Sequence, residues 1–168
     1  MKISIDVFDS KSIDKAIKQL EDYKNDLNLK AQELCKRLAD MGALYAEWNF
    51  SGVQYASDNI EYKIQVDSVG DNQYVIRANG QSVLFMEFGA GVKHGYGHPQ
   101  AAEFGMGPGT YPNGKGHWDD PQGWWFGGKG HWTHTYGNAP GMPMYNAAKD
   151  LRKEIQQVAQ EVFSRDRS

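Results

Sequence analysis

Residues 59–80 read NIEYKIQVDSVGDNQYVIRANG, and the periodicity of this stretch decides the fold class. Ile60, Tyr62, Ile64 and Val66 alternate with polar residues, the period of two that belongs to a strand with one buried face. Gly70-Asp71-Asn72 turns the chain into a second run, Tyr74 to Ala78. Asn79-Gly80 then supplies a tight turn, because both residues tolerate positive φ. Val83 to Phe88 follows, an apolar run that periodicity alone leaves as a buried strand or a short helix. The stretch predicts an antiparallel meander.

Upstream the period is different. Ile13, Ile17, Leu20, Leu27, Ala31, Leu34, Leu38, Met41, Tyr45 and Trp48 step by fours and threes, broken only at Lys24. Such a heptad-like stripe needs an apolar surface against it, either the chain's own core or another subunit. One helix from about 11 to 49 would be roughly 57 Å long, beyond the usual span of a small domain. The polar cluster Lys24, Asn25, Asp26 and Asn28 is the natural break, which favours two consecutive helices. Asp9, Ser10 and Ser12 can each cap a helix start. Before them, residues 2 to 8 alternate through Ile3, Ile5 and Val7, the pattern of a half-buried strand. The opening MKISIDVFDS, with Asp6 and Asp9, does not read as a signal peptide.

Downstream, residues 89–143 hold 15 of the 19 glycines, all six prolines, all five histidines and four of the five tryptophans. With few aliphatic residues this segment cannot form its own core, and a loop of such length implies a job or a partner. Trp124-Trp125-Phe126 and Trp132-Thr133-His134-Thr135-Tyr136 flank Gly127-Gly128-Lys129-Gly130 and predict an aromatic hairpin. Pro143 suits a first helical turn. Met144, Ala148, Leu151, Ile155, Val158 and Val162 then step by fours and threes into a terminal helix ending near 164. The expected architecture is therefore α+β in a single domain of 1–168: strand, helical region, antiparallel sheet, long Gly/Trp/His-rich loop, C-terminal helix.

Composition narrows the function. The 168 residues are 40% hydrophobic and 23% charged, within the range of an ordered soluble chain. A formal net charge of −3 does not supply the basic face of a non-specific DNA binder, and no specific nucleic-acid recognition is expected. No apolar run approaches the ~18–20 residues of a membrane span. Cys35 sits alone on the apolar helical face and reads as a small hydrophobe in a reducing compartment.

No catalytic constellation emerges. His94, His98, His117, His131 and His134 could gather zinc for a small metal-dependent hydrolase, but spacings on so glycine-rich a loop carry no geometry. Trp118, Trp124, Trp125 and Trp132 could stack on sugars as a carbohydrate-binding module. Asp119-Asp120 reads as a solvated pair, and no Gly-x-Ser-x-Gly elbow or phosphate loop occurs. Glu87 stands out within its apolar run. A carboxylate there must be paired, bonded to backbone N–H groups, or at an element's end. An anchor for the following turn is favoured over a catalytic acid. The nearby glycines serve positive φ and close backbone approach.

Two blocks carry a family resemblance: Phe85-Met86-Glu87-Phe88-Gly89-Ala90-Gly91, and Ala139-Pro140-Gly141-Met142-Pro143-Met144-Tyr145-Asn146-Ala147-Ala148. Together they resemble the HK-ninety-seven gene-ten-like family of phage tail components. In that family an EFG-x-G block ends a strand-rich middle and an A-x-x-P-M/F block starts the last helix. Asn49 to Tyr55 departs from the P-x-x-T-G-x-L stretch of many members, and the Gly/Trp/His loop is longer than usual. The resemblance implies a structural virion protein without catalytic residues or cofactor, assembled in the bacterial host cytoplasm. It also implies a ring, of about six copies by cyclic closure, at the head–tail junction or head-proximal tail end. Its neighbours would be connector, tail-terminator or tail-tube proteins. Phe85, Met86, Glu87, Phe88, Gly89, Gly91, Pro143 and Met144 are the motif residues. Trp118, Trp124, Trp125, Trp132 and His134 are the candidate interface loop.

Overall fold

The computed structural model describes residues 3–53, 61–106, 120–128 and 130–164. The chain is α+β, in the order α1 (Ser10–Gly52), β1 (Lys63–Gly70), β2 (Gln73–Asn79), α2 (Val83–Phe88), β3 (Trp124–Gly128), β4 (His131–Thr135) and α3 (Pro143–Ser164). No described helix is long and apolar enough to cross a membrane.

Two expectations at the N-terminus are corrected. The alternating segment forms no strand: residues 3–9 are irregular, and Ile5 and Val7 are exposed. Alternation makes a strand only where a neighbour pairs with it, and no described strand does. Second, α1 is one unbroken helix of 43 residues, about 64 Å long. The polar cluster does not break it, because Asn and Asp cost a helix only a fraction of a kcal/mol each. Asp26 also pairs with Lys30 one turn on, at 3.0 Å. Asp9 is the N-cap; its Oδ1 accepts from Lys11 N–H at 3.0 Å.

The sheet of β1 and β2 is antiparallel, with Ile64 opposite Ala78 and Val66 opposite Ile76. The register shifts between Ser68 and Gly70, at the predicted turn. The meander stops at two strands, since Val83–Phe88 resolves as helix. Val83 and Met86, three residues apart, bury one helical face beside Phe50. Phe50 stacks on Tyr62 with ring centroids 4.8 Å apart, and Ile64, Ala78 and Met144 pack around the cluster. Met86 is wholly buried.

The C-terminal half of α1 lies between sheet and α3. A Cβ on Gly42 would meet Ile76 Cδ1 at 2.5 Å and Leu151 Cδ2 at 3.0 Å, so β2 and α3 both close on this point. Gly42→Leu is expected to lose about 1–3 kcal/mol through overpacking. Gly52→Ala, where nothing lies within 4 Å, should pass without loss. Urea denaturation of both variants checks this.

The heptad stripe divides into stretches with different fates. Ala31, Leu34, Leu38, Met41 and Tyr45 are partly covered, while Ile13, Ile17, Leu20 and Leu27 are exposed. The cause is length. Glu161, in the last turn of α3, bonds Arg37 at 2.6 Å, so α3 runs out within a turn of that point and roughly 35 Å of α1 projects beyond it.

Candidate functional site

Both motif blocks meet at the start of α3. Pro143 is its first helical residue, which leaves Met142 at the N-cap position. Methionine has no oxygen to offer the orphan N–H groups of the first turn. Glu87 does that work from across the fold. Its Oε2 accepts from Met144 N–H at 2.7 Å and its Oε1 from Tyr145 N–H at 3.0 Å. The carboxylate also sits where the helix dipole favours negative charge.

His98 completes the arrangement. Its Nδ1 accepts from Gln100 N–H at 3.1 Å, so the ring proton lies on Nε2, which donates to Glu87 Oε1 at 3.0 Å. Both side chains are buried. The imidazole is packed between rings, 4.4 Å from Phe88 and 5.6 Å from Tyr145 by centroids. Glu87 thus meets all three conditions set for it: a pair, backbone N–H donors and a helix end.

Backbone contacts stitch the blocks along their length. Gly141 N–H donates to Met86 O at 2.8 Å, and Met142 N–H to Glu87 O at 3.3 Å. Ala90 and Asn138 exchange both backbone bonds, and Asn138 Nδ2 donates to Phe85 O at 2.9 Å. Gly89 has φ 74 and ψ −174, and Gly91 has φ 81. A Cβ on Gly89 would lie 2.6 Å from Asn138 O, and on Gly91 2.3 Å from Tyr136 O. These glycines let two backbones touch. Here the Glu87 block closes a short helix, α2, and joins the loop to the core.

Beyond this clasp stands the predicted hairpin, with Trp125 opposite His134 and Gly127 opposite Trp132. That register puts Trp125, Trp132 and His134 on one face, with Tyr136 next along the same side. His134 meets Trp125 edge-on at 5.1 Å and Tyr136 at 4.9 Å, and Lys93 Nζ lies 3.6 Å over the Tyr136 ring. Trp125 and Trp132 remain 64% and 63% exposed, a large aromatic surface for an uncovered hairpin. Trp124 is half-buried on the other face. Trp118 and His117 lie outside the described residues.

The described histidines do not converge. No group of three metal-ligating side chains exists among the described residues. His94 and His131 are exposed, and both nitrogens of His98 are engaged. Sequence reasoning grouped His98 with the loop and missed it as Glu87's partner. The signal was only half present: a carboxylate in an apolar run demands a partner without naming it. His98→Ala is expected to cost about 2 kcal/mol, since it strands Gln100 N–H and one lone pair of a buried carboxylate. His94→Ala should be neutral, and thermal denaturation separates the two.

Neither a protein-family model, nor a curated protein, nor a solved structure matches this chain.

Proposed function

We propose that this protein is a structural component of a tailed phage or phage-tail-like particle. It acts by assembly, as a ring of about six copies at the head–tail junction or the head-proximal end of the tail. Its neighbours are connector, tail-terminator or tail-tube proteins, and it carries no catalytic centre. The observation that carries this reading is the clasp. The two blocks by which the sequence resembles the gene-ten-like family are far apart in the chain, yet Glu87 of one caps the helix that starts in the other. Resemblance confined to two halves of one joint fits a shared framework better than chance likeness of two short strings.

The uncovered surfaces point the same way. A projecting apolar helix end and an exposed aromatic hairpin suit a chain that buries them against copies and adjoining rings. Light scattering on concentrated purified protein, with negative-stain imaging, tests the ring. Closed annuli are expected, and a monomer at every concentration would count against it.

One observation favours a second reading. Two exposed tryptophans share the hairpin face, an arrangement on which sugar rings could stack. A glycan screen with Trp125→Ala and Trp132→Ala variants decides that question.

A further inference from the structure

We infer that copies of this chain join head to tail through α1, its projecting end seating in a groove at the other end of the same helix on the next copy. The inference rests on the ring reading and supplies its contact surfaces.

The first surface is the ridge formed by Ile13, Ile17, Leu20 and Leu27, all exposed. The second begins where the same heptad seam emerges from under α3. Trp48, three residues past Tyr45 on the same seam, is 81% exposed, and Leu44 beside it is also exposed. An open groove runs there between α1 and β1, lined by Leu44, Glu47, Trp48, Tyr62, Lys63 and Ile64. Thus α3 covers the middle of the seam and leaves both ends bare.

Charge selects the partner. The ridge carries Glu21 and Lys24, the groove Glu47 and Lys63, and none of the four has an ion pair among the described residues. Ridge on groove can set Lys24 against Glu47 and Glu21 against Lys63. Ridge on ridge matches them less well. A parallel pair stacks Lys24 on its own copy inside the seam, and an antiparallel pair in the register that sets Ile17 opposite Leu20 brings Asp14 near Glu21 at the flanks. The surfaces also differ in shape, one convex and one concave. A contact between two different patches is heterologous, the kind that propagates around a ring.

Cysteine crosslinking tests this in a Cys35→Ala background. Leu20 and Trp48 are about 42 Å apart along one helix, so a short bis-maleimide between these positions must join separate chains. Leu20→Cys protein mixed with Trp48→Cys protein is expected to give a crosslinked dimer, and the doubly substituted chain a ladder. Each single variant alone should give none. Lys24→Glu should weaken association by about tenfold, and Glu47→Lys in the same chain should restore it. A dimer from Leu20→Cys alone would overturn the inference in favour of a symmetric helix pair. Multimers in light scattering without any crosslink would overturn this contact and leave the ring standing. Monomers throughout would remove both.

Discussion

Glu87→Ala is expected to lower the unfolding free energy by about 3–5 kcal/mol, the scale of removing one partner from a buried charged network. For a domain of this size that is a fall in melting temperature on the order of 10 °C. Three donors lose their acceptor at once: Met144 N–H, Tyr145 N–H and His98 Nε2–H. None has water at hand, because Glu87 and His98 are both buried. Glu87→Gln should recover only part of the loss, since its NH₂ faces a donor wherever it points. Glu87→Ala and His98→Ala together should cost clearly less than the sum of the two, because they empty the same network. Additive losses would mean that the two residues act separately.

Gly89→Ala is expected to be nearly as damaging, about 3 kcal/mol or more, by a different route. The conformation at φ 74, ψ −174 is one that essentially only glycine adopts, and a side chain there costs about 1–3 kcal/mol in strain. The added Cβ would also press on Asn138 O at 2.6 Å and Pro140 N at 2.7 Å, both backbone atoms with nowhere to go. Gly105 also has positive φ, with nothing within 4 Å of its Cβ position. Gly105→Ala therefore reports the cost of positive φ without a clash, expected near 1 kcal/mol. The readout extends past stability. Separating Gly89 from Asn138 should loosen the hairpin, so tryptophan fluorescence should change in Gly89→Ala and not in Gly105→Ala.

Elements whose pattern reports a purely local preference were legible in the sequence. Period two around Gly70-Asp71-Asn72 found β1 and β2, glycines between aromatics found β3 and β4, and Pro143 with its fours and threes found α3. The failures lie where a tertiary neighbour decides. Ile3 to Val7 alternates like a strand, but no described strand pairs with it. Lys24 to Asn28 looks like a break, yet on a projecting helix polar residues face water and hydrogen bonds run on through them. Val83 to Phe88 was undecided until packing against Phe50 chose the helix. The stripe of α1 left core and subunit contact open, and α3 covers only part of it.

For the site, the physics of Glu87 was readable and its partners were not. A buried carboxylate announces that it needs donors. That two come from a helix start 57 and 58 positions away follows only from the fold. His98 hid for the opposite reason: with Gly95, Gly97 and Pro99 around it in the sequence, it gives no sign of burial.

The proposed ring within a phage tail or tail-like particle is open to direct test by imaging that particle. A reconstruction of particles from a host carrying this sequence should place the chain in a closed ring at the head–tail junction or the head-proximal tail end. Neighbouring copies should then touch through the two ends of α1. A reconstruction in which the chain appears as one isolated copy, or not at all, would rule out the ring.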